Sequence, residues 1–306
     1  MRILLTGATG YIGTNLARLL VDEQHSISAL VRPGSNTDRI AGFVNCCTIS
    51  PTMEDIPDVV ENLAPDIAIH LASQQGKGAE SITELLSTNI ELGTRLLEAL
   101  SNTTCKGFIN TGSYWQYSEN GKFLPNSLYA ASKSAFQTIL ESYTACGKIN
   151  STTLVLYDVY GPGDWREKFL NVLLREAALN RSVPATSGKQ IVGLCHISDV
   201  INGFHIAAKA LSDCSATPVN DISFLLPERF LTLREVVNTM QSLTSAKLSV
   251  SWGEKRYDDG QIMAPFADGP VLNSWKPQLT LEEGLTSVLR ACNMDVVPPL
   301  QPSSRQ

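Results

Sequence analysis

A doubly wound α/β fold, a parallel sheet with helices on both faces, is the architecture this sequence predicts. Three observations predict it. A glycine-rich turn near the start joins a short apolar run to an amphipathic helix. Apolar runs of strand length then alternate with helical periodicity as far as residue 156. The clusters of Gly, Ser, Thr and Arg between them follow the carboxyl ends of the predicted strands, where open α/β sheets bind ligands.

The first apolar run, Ile3-Leu4-Leu5, reads as a buried parallel strand. The turn is Gly7-Ala8-Thr9-Gly10-Tyr11-Ile12-Gly13, and Ile12, Leu16, Leu19 and Leu20 then recur at helical spacing. G-x-x-G-x-x-G between a strand and a helix suits a dinucleotide. Gly7 permits the tight turn, Gly10 lets the backbone approach a pyrophosphate, and Gly13 lets the helix pack closely on the sheet. The helix N-terminus offers unpaired N–H groups to the phosphates. The cofactor-binding candidates here are Gly7, Thr9, Gly10, Tyr11, Ile12 and Gly13, and the predicted domain is of Rossmann type.

The next strand, Ile27 to Val31, ends in Arg32-Pro33-Gly34-Ser35. An NAD site usually carries Asp or Glu at this point to accept hydrogen bonds from the ribose hydroxyls. A guanidinium suits a 2′-phosphate instead, and Ser35 and Asn36 add donors. Arg32 and Ser35 therefore favour NADPH over NAD; the alternative is an exposed arginine at a strand end.

The alternation continues with a strand over 44–49, a helix over 53–63 and a strand over 66–73. That strand runs into Leu71, Ala72 and Ser73, small enough at its end for a cofactor to lie across it. A helix is expected over 80–100, a strand over 107–111, a helix over 127–146 and a sixth strand over 152–156. Beyond Pro162 the pattern becomes irregular: helices over 169–179, 200–211, 231–243 and 281–292, strands over 191–197 and 248–250, and a turn over 184–188. We expect a dinucleotide-binding domain over 1–165 with part of 191–212, and a smaller α/β substrate-binding lobe over 166–306. Its Pro/Ser/Gln-rich tail, 296–306, reads as flexible.

Tyr129 and Lys133 lie four residues apart on the 127–146 helix, hence on one face. A nearby ammonium favours the phenolate, so the pair can pass a proton to or from a sugar or alcohol oxygen. Ser113, just past the 107–111 strand, can hold the same oxygen. Y-x-x-x-K alone is a weak signal, since the spacing recurs on many helix surfaces; its company gives it weight.

The length of 306 residues is ample for a sizeable core, and 43% hydrophobic with 18% charged residues describes a globular chain. A net charge of −6 argues against a nucleic-acid partner. No apolar run approaches the roughly 18 residues of a membrane span, and no leader segment is evident, so a cytoplasmic protein with no membrane partner is expected. The seven cysteines show no C-x-x-C spacing and the four histidines are dispersed, so no metal site is expected.

Taken together, Gly7-x-x-Gly10-x-x-Gly13, His70-Leu71-Ala72, Ser113, Tyr129-x-x-x-Lys133 and Tyr160-Gly161-Pro162-Gly163 resemble the extended short-chain dehydrogenase/reductases of the sugar-nucleotide epimerase/dehydratase group. The resemblance runs to Trp275-Lys276-Pro277 and Leu281-Glu282-Glu283-Gly284. Within the group, Phe108-Ile109-Asn110, Ser113-Tyr114-Trp115-Gln116, Lys168-Phe169, Thr186-Ser187-Gly188 and Asp199 look most like nucleotide-sugar 4-ketoreductases of the CDP-paratose and CDP-abequose synthase type. The resemblance implies catalysis by Ser113, Tyr129 and Lys133. Tyr129 is the general acid, Lys133 binds the nicotinamide ribose and lowers the Tyr129 pKa, and Ser113 holds the substrate oxygen, with Tyr114 and Trp115 beside the sugar. Family 4,6-dehydratases carry an Asp-Glu pair shortly after the serine or threonine; here Tyr114-Trp115-Gln116 has no carboxylate. Many relatives hold the diphosphate with an arginine where this chain has Val192, which leaves Lys189, Arg256 and Arg166 as candidates. The resemblance also implies a homodimer formed by the 80–100 and 127–146 helices. A nucleotide-sugar epimerase retaining NAD(P) and a non-catalytic NADP-binding sensor stand as alternatives.

Overall fold

The computed structural model describes residues 1–75, 81–214 and 219–297. In chain order it contains β1 (Arg2–Thr6), α1 (Tyr11–Asp22), β2 (Ser26–Val31), β3 (Asn45–Thr48), α2 (Ile56–Leu63) and β4 (Ile67–His70). These are followed by α3 (Ile82–Leu86), a π-helical turn (Ser87–Glu91), α4 (Leu92–Leu100), β5 (Gly107–Ser113), a 3₁₀ turn (Tyr114–Gln116), α5 (Leu128–Ala145) and β6 (Asn150–Leu156). The remainder comprises β7 (Asp158–Tyr160), α6 (Phe169–Ala178), β8 (Val183–Ala185), β9 (Ile191–His196), α7 (Ile197–Asp213) and β10 (Asn220–Phe224). Last come β11 (Phe230–Thr232), α8 (Leu233–Ser242), β12 (Val250–Trp252) and α9 (Leu281–Ala291).

The chain divides into two compact units. The first takes Met1–Leu156, Val200–Leu225 and Phe266–Lys276; the second takes Tyr157–Asp199, Leu226–Pro265 and the chain from Pro277. Among the described residues, the first unit carries a seven-stranded parallel sheet in the order β10-β6-β5-β4-β1-β2-β3. This is the doubly wound sheet expected. The central strands β1 and β4 are near-continuous apolar runs because both faces are covered, as Ile3, Leu4 and Leu5 at 0–1% exposure show. One core cluster of this unit joins Leu4, Leu96, Phe108, Phe136 and Leu140, so α4 and α5 close one face.

The second unit has a three-stranded sheet, β11-β9-β7, and a two-stranded one, β12-β8. Its core gathers Leu173, Met240, Leu285 and Leu289 from α6, α8 and α9. At Gly284 an added Cβ would stand 2.0 Å from the Tyr160 hydroxyl, so α9 packs on this core only without a side chain there.

Several expectations change; the helix expected over 231–243 begins only at Leu233, after β11, and the strand expected over 248–250 lies at Val250–Trp252. The helix expected over 80–100 is broken by the π turn, and Glu80 lies outside the described residues. The turn expected over 184–188 is partly strand: Val183–Ala185 pairs in parallel with Val250–Trp252. Pro184 is tolerated there because each strand of a two-stranded sheet is an edge, with backbone donors to spare. β10 was not expected: Asn220 and Asp221 are exposed on the sheet's edge, and the apolar stretch Ile222 to Leu226 is short and interrupted by Ser223. The tail expected to be flexible from residue 296 is held at its start, where Val297 N–H bonds the Leu243 carbonyl at 2.9 Å and Val296 bridges Thr244; residues 298–306 lie outside the described residues.

Candidate active site

The glycine turn is shaped by missing side chains. Gly7 adopts φ +72°, in the left-handed region, and a Cβ on it would lie 2.7 Å from the Ala72 nitrogen. A Cβ on Gly13 would lie 2.1 Å from the Gly7 carbonyl oxygen. The structure thus brings Leu71 and Ala72, at the end of β4, against the turn after β1. Thr6 fastens the two: its Oγ1 accepts the Ala72 N–H at 3.2 Å and bonds His70 Nδ1 at 2.8 Å. His70 is fully buried, and burial, with the Lys133 charge second, pushes its pKa down to about 3. It is a neutral packing group rather than an acid.

Gly10 is exposed and caps α1, whose first turn holds no acidic residue and no side-chain capping bond. The positive dipole end there suits an anion such as a dinucleotide pyrophosphate. Thr9 and Ile12 flank the same turn half-buried, whereas Tyr11 is buried and Ser73 exposed. Arg32 follows β2, whose Leu30 pairs with Thr6, so it leaves the sheet's carboxyl edge beside the glycine turn; Ser35 lies in the turn after it, its N–H on the Arg32 carbonyl at 3.1 Å. Arg32 is exposed; its positive charge helps hold Glu84 below the usual carboxylate range, after the stronger capping bonds from Ser81.

α5 opens at Ser127, whose side chain accepts the Ala130 N–H. Tyr129 is half-buried in the first turn. Lys133, one turn on, is 3% exposed, and burial lowers its pKa to about 8. Its Nζ donates to the Thr111 carbonyl at 3.0 Å, two residues before Ser113. Ser113 ends β5, and its Oγ accepts the Trp115 N–H at 3.3 Å in the 3₁₀ turn. Tyr114 and Trp115 are half-buried there, with ring centroids 6.0 Å apart.

Sequence reasoning passed over Asn89. It sits in the π turn, 1% exposed, with its side chain accepting the Gln74 N–H at 2.7 Å and donating to the Gln74 carbonyl and to Ser132 Oγ, at 2.8 and 2.9 Å. Ser132 Oγ donates in turn to the Tyr129 carbonyl at 2.8 Å. One amide thus fixes both the chain after β4 and the first turn of α5. The available signal was an asparagine in mid-helix, where it is a poor helix former; π turns often mark functional sites.

In the second unit, Lys189 and Arg256 are exposed and belong to one corner. The Tyr257 hydroxyl bonds Ser187 Oγ at 2.9 Å, the Lys189 N–H at 3.0 Å and Gln190 Oε1 at 3.0 Å. Arg234, not singled out from the sequence, lies over the Trp252 ring at 4.7 Å and donates to the Ser187 carbonyl at 2.6 Å. Arg166 is committed elsewhere: it forks onto Asp164 at 2.8 Å and donates to the Val159 carbonyl. Val192 pairs with Leu231 and packs on the core, so this strand position carries no cation. His196 bonds Ser198 and Ser287 and stacks edge-on against Tyr160, a packing role. Among the described residues no group of three or more His, Cys, Asp or Glu could hold a metal ion, and no helix is long and apolar enough to cross a membrane.

Residues 3–219 match the NAD dependent epimerase/dehydratase family. The chain belongs to that family. It is accordingly an NAD(P)-dependent enzyme of the oxidoreductase type. Among curated members of the family it is 28% identical to the CDP-abequose synthase of Yersinia pseudotuberculosis, over 95% of this chain and 100% of that protein. It is 26% identical to the CDP-abequose synthase of Salmonella muenchen, over 94% and 97%. Among solved structures, the UDP-glucuronic acid 4-epimerase from Bacillus cereus, in complex with UDP-glucuronic acid and NAD, superposes with a TM-score of 0.83 at 18% identity, covering 96% of this chain and 99% of the other. That likeness establishes the shared fold.

Proposed function

We propose that this protein reduces a nucleotide-linked 4-keto-6-deoxy sugar with NADPH. The observation that carries the reading is Arg32, exposed at the carboxyl end of β2 beside the glycine turn, where a family member that retains NAD has a carboxylate. A cofactor gripped by its 2′-phosphate suits net reduction, in which it is consumed and released. The curated relatives named CDP-abequose synthases support the same reading.

When bound, NADPH supplies hydride to the sugar carbonyl carbon. The glycine turn and the first turn of α1 hold its pyrophosphate, Arg32 and Ser35 its 2′-phosphate, and Leu71, Ala72 and Ser73 its face. Ser113 donates a hydrogen bond to the carbonyl oxygen and stabilises the charge that develops there. Tyr129 gives that oxygen its proton. Lys133, buried with its ammonium beside the Thr111 carbonyl, favours the phenolate left behind and holds the ribose. With no carboxylate among Tyr114, Trp115 and Gln116, elimination of water lacks its base. We assign the nucleotide diphosphate to Lys189 and Arg256 of the second unit, and self-association as a homodimer to α3–α4 and α5.

The test is NADPH oxidation with CDP-, dTDP-, GDP- and UDP-4-keto-6-deoxyhexoses, with NADH as control. Turnover of one nucleotide with NADPH is expected. An isomerised sugar without NADPH consumption would replace reduction with epimerisation. Sedimentation showing a monomer at micromolar concentration would remove the dimer.

A further inference from the structure

Tyr129, Lys133, Gln137 and Glu141 stand at four-residue intervals on α5 and form one stripe along it. The proposed chemistry uses the first two. The other two reach the end of β5 through a third side chain. Gln137 Nε2 donates to Glu141 Oε1 at 3.1 Å, and Gln137 Oε1 accepts from Gln116 Nε2 at 3.1 Å. Gln116 Oε1 then accepts the backbone N–H of Ser113 at 2.8 Å.

The direction of this chain is forced. A backbone N–H can only donate and a carboxylate can only accept, so each amide between them has one workable orientation. Gln116 and Gln137 are 0% and 3% exposed, and carboxamides at that depth are costly unless bonded. The chain also leaves them room. A Cβ at Gly112 would lie 3.2 Å from Gln116 Oε1 and 3.0 Å from Thr153 Cγ2. β4 pairs with β5 only as far as Asn110, so residues 111–113 extend beyond that neighbour. The stripe ties this overhang twice, through Lys133 at the Thr111 carbonyl and through Gln116 at Ser113.

We propose that Gln116, clamped by Gln137 and Glu141, is a positioning residue for Ser113, and that one stripe of α5 thereby sets the spacing between the Ser113 hydroxyl and the Tyr129–Lys133 pair. The proposal rests on the role given to Ser113 above. Gln116, 0% exposed, presents no surface to substrate or cofactor.

The test compares the full-length wild type with Gln116→Met and Gln116→Glu. One readout is hydrogen exchange of the Ser113 amide by NMR, which needs no substrate. The other is NADPH-dependent turnover of the 4-keto-6-deoxyhexose. In Gln116→Met the Ser113 amide should exchange at least about tenfold faster. Its kcat should fall roughly ten- to a hundredfold, the scale of a small misplacement, with KM and NADPH affinity held within about twofold. Gln116→Glu discriminates further. A protonated Glu can both accept from Ser113 and donate to Gln137, whereas its carboxylate cannot donate. Its kcat should approach wild type on the acid side and fall at higher pH along a limb that the wild type lacks. A side chain that merely fills space would add no such limb.

A wild type that reduces the sugar, with Gln116→Met retaining its kcat, overturns the proposal. So does an unchanged Ser113 amide. A wild type inactive on every sugar sinks the functional reading instead, and amide exchange then decides the clamp. Should Gln116→Met fail to fold, a flat difference between the Gln116→Glu and wild-type pH profiles overturns the proposal.

Discussion

The turns at residues 7–13 and 186–190 are built on opposite principles. The first is shaped by absence: side chains at Gly7 and Gly13 would collide with backbone atoms that cannot yield. The second is shaped by presence, with the Tyr257 hydroxyl holding three of its groups and Arg234, laid on Trp252, holding a fourth. A backbone cradle admits one sequence pattern and suits a ligand part common to the whole family. A turn held by distant side chains can be rebuilt by changing any of them, which suits the part of a ligand that varies.

The largest effect should come from the first unit's chemistry. Tyr129→Phe removes the proposed proton donor and should lower turnover roughly 100- to 10,000-fold while NADPH titration is unchanged; intact turnover would end the catalytic reading. Next comes the contrast between the two turns. Gly13→Ala drives a methyl onto the Gly7 carbonyl and should cost about 1–3 kcal/mol of stability, with NADPH binding lost. Gly188→Ala, at φ +68°, meets mainly the Trp252 ring and the Arg234 stem, which can move. It should cost about 1–2 kcal/mol and raise KM for the sugar nucleotide, leaving NADPH affinity alone. Equal effects on cofactor binding would erase the distinction. Arg32→Ala should weaken NADPH roughly ten- to a hundredfold by losing a charge-assisted bond, with NADH unaffected.

The smallest effect concerns pH. Burial lowers the Lys133 pKa from 10.5 to about 8, so the unfolded chain binds the extra proton between those values and stability rises with pH across that window. Below it the burial penalty is complete. Lys133→Met should therefore be inactive, with a melting temperature that gains on wild type at pH 7 and loses that gain by about pH 10.5. A gain that persists at high pH would place the effect in packing rather than charge.

The first turn was legible because steric exclusion leaves a motif: Gly7, Gly10 and Gly13 could be read with no partner in view. Tyr129 and Lys133 were legible because one helix sets their spacing. The clamp on Ser113 was half legible, since Gln137 and Glu141 continue the same four-residue interval, but Gln116 comes from another element. Asn89 was hidden by apolar residues around it that satisfy ordinary helical periodicity. Arg234 and Tyr257 join the second turn from 47 and 70 residues beyond Ser187, and no local pattern encodes such contacts. β10 was hard to see because its first two residues are exposed and polar, leaving only a short apolar stretch after them.

That edge strand has a consequence for synthesis on the ribosome. β10 covers the open side of β6, yet the chain builds β7, α6, β8, β9 and α7 between them. Until residue 224 has left the exit tunnel, the nascent sheet carries an unpaired edge along Asn150–Leu156, a strand whose residues are all buried in the finished protein. A fragment cut after β6 would carry that sticky border permanently. Such a truncation should aggregate rather than serve as an autonomous nucleotide-binding module.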